Sequence, residues 1–339
     1  MTDSNHALVF GATGLLGWAI TEQLLSGYPY EGAFSTVTAV VRRPETDLGL
    51  PSGGPAFRLV GGVDLLGSGA DLTARLRDVP EVERTTHVFY YVFAAGGEDE
   101  VQEARVNGDM LLRVVEAINA TTPRLVSFVY AGGTKQYGIW EPGGKMAAPL
   151  RESLVEHVQP EEMPSCVYPL HRRILTDASR GKGWHWTELC PDMVVGYSPF
   201  GADYSLALHW AQYLSLVAER EGEGTRVPFP GCVEAYESKF SPVSGRILGR
   251  ASIYVGLLHG RADDGSAGKV INVADGEEPV SFSTLWPELT SWFGLEGVGP
   301  EDGALGKRLG PGAISIRTWM QYPKAEPQAS DLNLRLSSA

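Results

Sequence analysis

The stretch that decides the fold is His6-Ala7-Leu8-Val9-Phe10, followed directly by Gly11-Ala12-Thr13-Gly14-Leu15-Leu16-Gly17. The first five residues predict a buried strand, and the apolar-periodic residues 18–25 predict a helix after the glycines. Gly11 permits a tight turn, Gly14 lets the backbone approach a ligand, and Gly17 lets the helix pack on the strand. A strand, a glycine-rich turn and a helix in this order predict a dinucleotide-binding unit with the helix N-terminus facing the phosphates.

The end of the second predicted strand indicates which dinucleotide is bound. This strand runs from Ser35 to Val41 and is followed by Arg42-Arg43-Pro44. An acidic residue there would accept hydrogen bonds from the ribose 2′-hydroxyl of NAD, whereas arginine suits the 2′-phosphate of NADP. The sequence therefore predicts NADP(H) as the cofactor. The alternative for these residues is a tight turn with two solvated arginines.

Strands and helices alternate through the first half of the chain. The further predicted strands are Phe57–Gly61, Thr86–Ala94 and Leu125–Tyr130, and the predicted helices are Ala70–Asp78 and Val101–Ala120. The fourth strand is a nearly continuous β-branched and aromatic run, which is typical of a parallel sheet covered on both faces. These units predict the α/β class, a doubly wound parallel sheet with right-handed crossovers and ligands at the carboxyl ends of its strands.

The composition changes after Gly138, where proline, glycine and aromatic residues become denser. We expect residues 1–180 to form the NADP-binding domain with the catalytic residues. Residues 181–339 are expected to form mainly a smaller α/β substrate-binding lobe, interleaved with the first domain, with the substrate in the cleft. Helices are predicted for Leu206–Arg220 and Gly245–His259, and a strand for Lys269–Val273. The polar end from about Gln328 is expected to pack poorly.

The overall composition narrows the classes of partner. The 339 residues are 43% hydrophobic and carry a formal net charge of −13 without a basic block, which argues against nucleic acid and anionic membranes. The three cysteines and seven histidines show no metal-ligand spacing, so we expect no metal. Residues 1–5 leave no room for a signal peptide, and we expect a cytoplasmic protein. The expected partner is a small-molecule substrate, and the sequence is compatible with a homodimer.

The catalytic residues of a dehydrogenase with this architecture are usually a tyrosine and a lysine four positions apart, but no Tyr-x-x-x-Lys occurs in this chain. Tyr168 is followed by Pro169, which favours the first helical position and thus predicts Tyr168 at the helix cap. The positively charged side chain that accompanies the tyrosine must therefore come from another segment. Lys135 is the candidate, because it lies just past the carboxyl end of the fifth predicted strand.

Several segments resemble the progesterone 5β-reductase and iridoid synthase family. They are 37–44, Gly133-Thr134-Lys135-Gln136-Tyr137, Val167-Tyr168 with Ile174-Leu175, 191–199, 228–231, 270–273, and Leu285-Trp286 with 292–294. The resemblance implies an extended short-chain dehydrogenase that uses NADPH to reduce activated carbon–carbon double bonds. The family's lysine in Gly-x-Lys-His-Tyr matches Lys135. The first tyrosine of its Asn-Phe-Tyr-Tyr segment matches Tyr168.

The chain departs from that family at three places around the expected pocket. Ala131-Gly132-Gly133 replaces Gln-Thr-Gly, Arg172-Arg173 replaces Glu-Asp, and Val92-Phe93 replaces Thr-Trp. The fold and the cofactor are therefore expected to carry over further than the substrate. Progesterone is not the expected natural ligand.

The expected binding residues follow from the strand ends and from the resemblance. The cofactor is expected to contact Gly11, Thr13, Gly14, Leu15, Leu16, Gly17, Arg42, Arg43, Asp64, Leu65, Ala94, Lys135, Tyr168, Pro191 and Val194. Asp64 either accepts from the adenine amino group or caps the following helix. The substrate is expected to contact Phe93, Tyr137, Trp140, Tyr204, His209, Trp210 and Tyr213, with packing in the core as the alternative for these side chains.

The hypothesis that unites these features is a reductase of specialised metabolism, with hydride delivered to the β-carbon of an enone or enal. Tyr168 would hydrogen-bond the developing enolate oxygen and Lys135 would supply positive potential. The enolate could also react onward to form a ring. The alternatives are a carbonyl or imine reductase, a cyclase or isomerase that keeps NADP as a scaffold, and a non-catalytic NADP-binding redox sensor.

Overall fold

A seven-stranded sheet forms the centre of the computed structural model, which describes residues 4–43, 47–95, 99–139, 144–202, 205–258 and 268–301. Its strand order is β11-β6-β5-β4-β1-β2-β3, and every neighbouring pair is parallel. The strands are β1 His6–Phe10, β2 Thr36–Val40, β3 Ala56–Val60, β4 His87–Tyr90, β5 Ser127–Ala131, β6 His185–Pro191, β7 Val194–Val195, β8 Arg226–Pro228, β9 Lys239–Phe240, β10 Val243–Ser244, β11 Lys269–Val273, β12 Val280–Ser281 and β13 Glu296–Val298.

Helices connect the strands of the sheet, and a further helix follows its last strand in the chain. They are α1 Leu15–Leu25, α2 Gly69–Arg77, α3 Glu100–Thr121, α4 Val167–Ser179, α5 Leu206–Glu221, α6 Val233–Glu237, α7 Gly245–Leu258 and α8 Phe282–Ser291. Short 3-10 turns lie at Val82–Arg84, Thr134–Tyr137, Glu152–Leu154 and Pro160–Glu162. In the described parts of the chain, none of these helices combines the length and apolar character needed to cross a bilayer.

The central strands β5, β4, β1 and β2 are buried on both faces, because most of their residues are apolar. Leu8 and Phe10 of β1 pack in one cluster with side chains of α2 and α3. Ala7 and Val9 of the same strand pack in a second cluster with side chains of α1 and α7. Alternate residues of a strand face opposite sides, so this division follows from the pleat. The prediction of a doubly wound α/β fold is confirmed.

The register brings the carboxyl ends of the strands to one edge of the sheet. Phe10 is paired with Val40 on one side and with Tyr90 on the other. The chain runs from β1 outward to β2 and β3, and then returns to β4 on the opposite side of β1. Ligands of such sheets bind where the strand order reverses, so the residues that follow β1 and β4 mark the expected site.

Most predicted element bounds agree with the structure within two residues. Helix α1 begins at Leu15, three residues before its predicted start, and two further differences are informative. The fourth strand ends at Tyr90 instead of reaching Ala94. Helix α4 is capped by Cys166 and begins at Val167, so the prediction of Tyr168 at the cap is wrong. Pro169 instead occupies the third helical position. Proline is tolerated there because the first N–H groups of a helix have no intrahelical acceptor.

The chain divides into two compact units. The first comprises Met1–Gln212 and Phe240–Val280, and the second comprises Tyr213–Lys239 and Ser281–Ala339. The first unit continues past residue 180, where the main division was expected from the sequence, because β6 and β11 complete its sheet. In the second unit, β8 pairs with β13, and the Trp286 indole N–H of α8 donates to the Val227 carbonyl at 2.9 Å.

We expect the Gly17→Ala substitution to destabilise the protein by about 3 kcal/mol, because overpacking that cannot relax carries costs of this order. A Cβ at Gly17 would overlap the carbonyl of Gly11, which is backbone and cannot swing away. Gly256→Ala in α7 is the matched control, since its Cβ would make ordinary contacts of 3.6 Å. Urea unfolding measures both variants. Equal stability of the two variants would contradict the assigned packing role of Gly17.

Candidate active site

The glycine turn joins β1 to α1 through close backbone contacts. Gly11 has a φ of +87°, and a Cβ there would overlap the carbonyl oxygen of Tyr91, which follows β4. The Gly14 N–H donates to the Gly11 carbonyl at 2.8 Å. Glycine is thus required at position 11 by its conformation and by its neighbour, and at position 17 by the packing described above.

The N-terminus of α1 is suited to an anion. Gly14 is the N-cap residue, no side chain caps the helix, and its first turn has no acidic residue. A Cβ at Gly14 would meet only the Gly11 carbonyl oxygen, at 3.3 Å, so the space beyond is open. Uncapped N–H groups and the helix dipole favour a phosphate. These residues therefore fit the pyrophosphate of a dinucleotide.

Further expected cofactor residues surround this turn. Leu15 is buried, Leu16 and Thr13 are half-buried, and the Thr13 carbonyl accepts from Ser198 Oγ at 2.8 Å. Ser198 lies in the segment that follows β7 and belongs to the 191–199 stretch singled out in the sequence. The contact joins this stretch to the glycine turn.

The two arginines that are expected to bind the 2′-phosphate of the ribose lie at the same edge of the sheet. Arg42 and Arg43 are exposed just after β2, and the Arg42 carbonyl accepts from the Gly62 N–H at 3.2 Å. Asp64 is also exposed, and its carboxylate accepts from the Leu66 N–H at 3.0 Å. The helix-cap alternative for Asp64 is wrong, because α2 is capped by Ser68.

The segment after β4 is fixed by a buried asparagine of α3. Asn107 is only 1% exposed. Its side-chain oxygen accepts from the Ala94 N–H and its side-chain nitrogen donates to the Ala94 carbonyl, both at 2.8 Å. The Asn107 carbonyl lies 3.3 Å from Nε2 of His171 in α4. Burial lowers the pKa of His171 to about 4, so the ring is neutral and Nε2 carries the donating proton.

Lys135 lies in the short 3-10 turn Thr134–Tyr137 directly after β5, which we call the lysine turn. Its Nζ forms an ion pair with Glu100 Oε1 at 3.3 Å, at the start of α3. Burial raises the pKa of the Cys166 thiol to about 11, and the positive charge of Lys135 is among the groups that oppose this rise. The charge of Lys135 thus acts on Cys166, the N-cap residue of the helix that carries Tyr168.

Tyr168 points toward the same turn from the first turn of α4. A Cβ at Gly133 would lie 2.7 Å from the Tyr168 hydroxyl oxygen and 3.2 Å from Cζ. The hydroxyl thus reaches the backbone two residues before Lys135. Gly133 is required here because any side chain would displace the tyrosine. The structure brings Tyr168 and Lys135 to one end of the sheet from two separate segments.

A buried polar cluster beneath the lysine turn was not predicted from the sequence. Glu188 of β6 and Arg172 of α4 form an ion pair of 3.1 Å, and their side chains are 0% and 7% exposed. Gln136 bonds to both. The detectable signal was Glu188 itself, since a charged residue within the otherwise mostly apolar β6 needs a partner.

The remaining candidates for the two ligands are dispersed. Pro191 is buried at the end of β6, and Val194 is half-buried in β7, which pairs with β10. Leu65 is buried, and its carbonyl accepts from Arg113 Nε at 3.1 Å. Within the described ranges there is no group of three side chains that could bind a metal ion.

The expected substrate residues divide into three groups. Phe93 is 43% exposed just after β4, and His209 and Trp210 are half-buried on α5. Tyr137 is fully buried with its hydroxyl donating to Asn272 at 2.8 Å, and Tyr213 stacks on Trp286, so these two placements favour packing. Trp140 and Tyr204 lie outside the described residues.

Comparisons with known proteins identify relatives along most of this chain. The model of the PRISE-like Rossmann-fold domain family matches residues 7–329. "Short chain dehydrogenase ausT" of Aspergillus calidoustus is 33% identical over 87% of this chain and 74% of its own length. "3-oxo-Delta(4,5)-steroid 5-beta-reductase" of Arabidopsis thaliana is 25% identical over 90% of this chain and 72% of its own length.

A solved structure supports the fold. UDP-glucose 4-epimerase of Thermus thermophilus, in complex with NAD, superposes with a TM-score of 0.59 at 19% identity and covers 88% of each chain. The resemblance drawn from the sequence motifs is confirmed by the family match. This chain is an oxidoreductase and belongs to the PRISE-like Rossmann-fold family.

Proposed function

We propose that the protein is an NADPH-dependent reductase of an activated carbon–carbon double bond, in an enone or enal of specialised metabolism. The observation that carries the proposal is the placement of the Tyr168 hydroxyl against Gly133, in the segment that leads to Lys135. A hydroxyl donor and a cation at the ligand edge of the sheet are what a developing enolate oxygen requires. The Arabidopsis relative, a 3-oxo-Delta(4,5)-steroid 5-beta-reductase, is named for the same class of substrate.

The chain's own residues fit NADP(H). The uncapped start of α1 would receive the pyrophosphate, and the exposed side chains of Arg42 and Arg43 would pair with the 2′-phosphate. Asp64 would accept from the adenine amino group. When bound, the cofactor supplies the hydride for the β-carbon of the conjugated system.

Tyr168 would donate its hydroxyl proton in a hydrogen bond to the substrate oxygen. The negative charge on that oxygen grows as the double bond is reduced, so this donor acts mainly in the transition state. A single donor of this kind contributes on the order of 3 kcal/mol. Ring formation from the enolate is an extension of the same chemistry within the pocket.

Lys135 would supply positive potential beside Tyr168 and a donor to the nicotinamide ribose. Its ion pair with Glu100 directs the ammonium toward the start of α3. Glu100 is about half exposed, with a side-chain exposure of 48%, so this pair is screened by solvent and can be exchanged for a ligand at little cost.

Replacing both Arg42 and Arg43 with alanine should raise the NADPH dissociation constant at least tenfold, equivalent to about 1.4 kcal/mol, and leave NADH nearly unchanged. The arginines gain charge-assisted hydrogen bonds only from the 2′-phosphate. Fluorescence titration measures both constants. The double variant Arg77→Ala with Arg180→Ala, at two exposed arginines, controls for the change in net charge. An equal loss of NADH affinity would contradict the assignment of these arginines.

Tyr168→Phe should lower kcat on 2-cyclohexen-1-one about 100-fold, because it removes one oxyanion donor while keeping most of the packing. The NADPH dissociation constant of this variant should stay within about twofold of the wild-type value, since the ring remains in place. Tyr254→Phe, an exposed tyrosine of α7, is the matched control and should keep full activity. Unchanged turnover of Tyr168→Phe would remove the tyrosine from the mechanism.

A further inference from the structure

Two buried charges lie directly beneath the lysine turn. Arg172 Nη1 is 3.1 Å from Glu188 Oε2, and both side chains are almost completely removed from solvent. Burying two charges is costly, and a well-packed apolar pair is often equally stable. Overall stability therefore does not explain why this ion pair is present. Its hydrogen-bond partners indicate another role.

Strand β6 and the residue that follows it present acceptors to both neighbours of Lys135. Gln136 Nε2 donates to Glu188 Oε1 at 2.9 Å and to Cys190 Sγ at 3.1 Å. Thr134 Oγ1 donates to Asp192 Oδ1 at 2.9 Å. Residues 188, 190 and 192 alternate along the chain, so they share one face of the strand and its extension. The residues on either side of Lys135 are thus fixed to one strand.

Arg172 joins the lysine turn to the helix of Tyr168. It lies four residues after Tyr168, which places the two on one face of α4. Its Nη1 donates to Gln136 Oε1 at 2.6 Å, and its Nη2 donates to the Val155 carbonyl at 2.9 Å. The planar guanidinium suits this bridge, because it offers several donors in fixed directions.

The surroundings of Glu188 are matched to its charge. A Cβ at Gly132 would overlap the Glu188 carboxylate, so only glycine leaves room for it. The Tyr130 hydroxyl donates to Glu188 Oε2 at 2.5 Å. Burial and the nearby Glu188 charge raise the pKa of Tyr130 well above its usual value, so this donor stays protonated. Gly132 and Arg172 are also two of the positions where the chain departs from the resembled family.

We propose that Arg172 and Glu188 are positioning residues that hold the lysine turn against Tyr168. At position 172, the resembled family has an acidic residue where this chain has arginine. The inference rests on the proposed roles of Lys135 and Tyr168. Lys135 and Tyr168 lie on two segments that are far apart in sequence. The buried ion pair, with Gln136 between its partners, connects them.

The test compares Arg172→Met combined with Glu188→Gln, which removes both buried charges together, with the wild-type protein. Arg173→Met is the matched control, because the adjacent Arg173 makes an exposed ion pair with Glu161. Hydrogen–deuterium exchange of the ligand-free protein is measured first. We expect exchange in peptides that contain residues 132–137 to rise at least tenfold in the double variant, with β1 and β2 unchanged.

Kinetics with NADPH and 2-cyclohexen-1-one give the second readout. We expect kcat of the double variant to fall at least tenfold. The KM for NADPH should stay within threefold, because the Lys135 contact to the ribose is one of several proposed cofactor contacts and the glycine turn, Arg42 and Arg43 are untouched. Arg172→Lys keeps the positive charge but loses the planar guanidinium with its several donors. It should give an intermediate kcat and intermediate hydrogen–deuterium exchange in residues 132–137. This variant decides the matter if the double variant does not fold.

Three results would overturn the inference. They are exchange in 132–137 equal to that of the Arg173→Met control, a rise in exchange spread evenly over the sheet, and unchanged kcat in spite of locally faster exchange. If the wild-type protein reduces no enone or enal, the proposed function fails, and the ligand-free exchange still decides whether the ion pair fixes the lysine turn.

Discussion

The close backbone contact between Gly11, Gly17 and Tyr91 is the constraint on which the rest of the structure depends. It requires glycine at positions 11 and 17, and it places the start of α1 beside the end of β4. The strand order reverses at this point, where ligands of such sheets bind, and the open space beside Gly14 is the proposed site for phosphate. The register then carries the ends of β2 and β5 to the same edge, together with Arg42 and Lys135.

Local sequence was sufficient for the fold, whereas the cofactor contacts predicted from it stay predictions. Glycine spacing and strand periodicity predicted β1, α1 and the doubly wound sheet, because these depend on short-range pattern. Other features depend on pairing between distant segments. Glu188 meets Gln136 only because Tyr130 and Glu188 are opposite one another in β5 and β6, and no local pattern encodes that register.

Substrate residues were the hardest to predict, because an aromatic side chain at helical spacing serves a pocket and a core equally well. Tyr137 is fully buried against Asn272, whereas Phe93 is largely exposed after β4. The start of α4 was misplaced for a related reason. Pro169 is acceptable at several positions of a first turn, and Cys166 gives no capping signal in the sequence.

Under the proposed function, hydride adds to the β-carbon of the double bond while Tyr168 hydrogen-bonds the oxygen that becomes the enolate. The most direct measurement uses NADPH deuterated at C4 of the nicotinamide, on the transferred face, with 2-cyclohexen-1-one, and locates the deuterium in the product by NMR. We expect a saturated ketone with deuterium at the β-carbon. Deuterium on the carbonyl carbon, in an unsaturated alcohol, would contradict the claim.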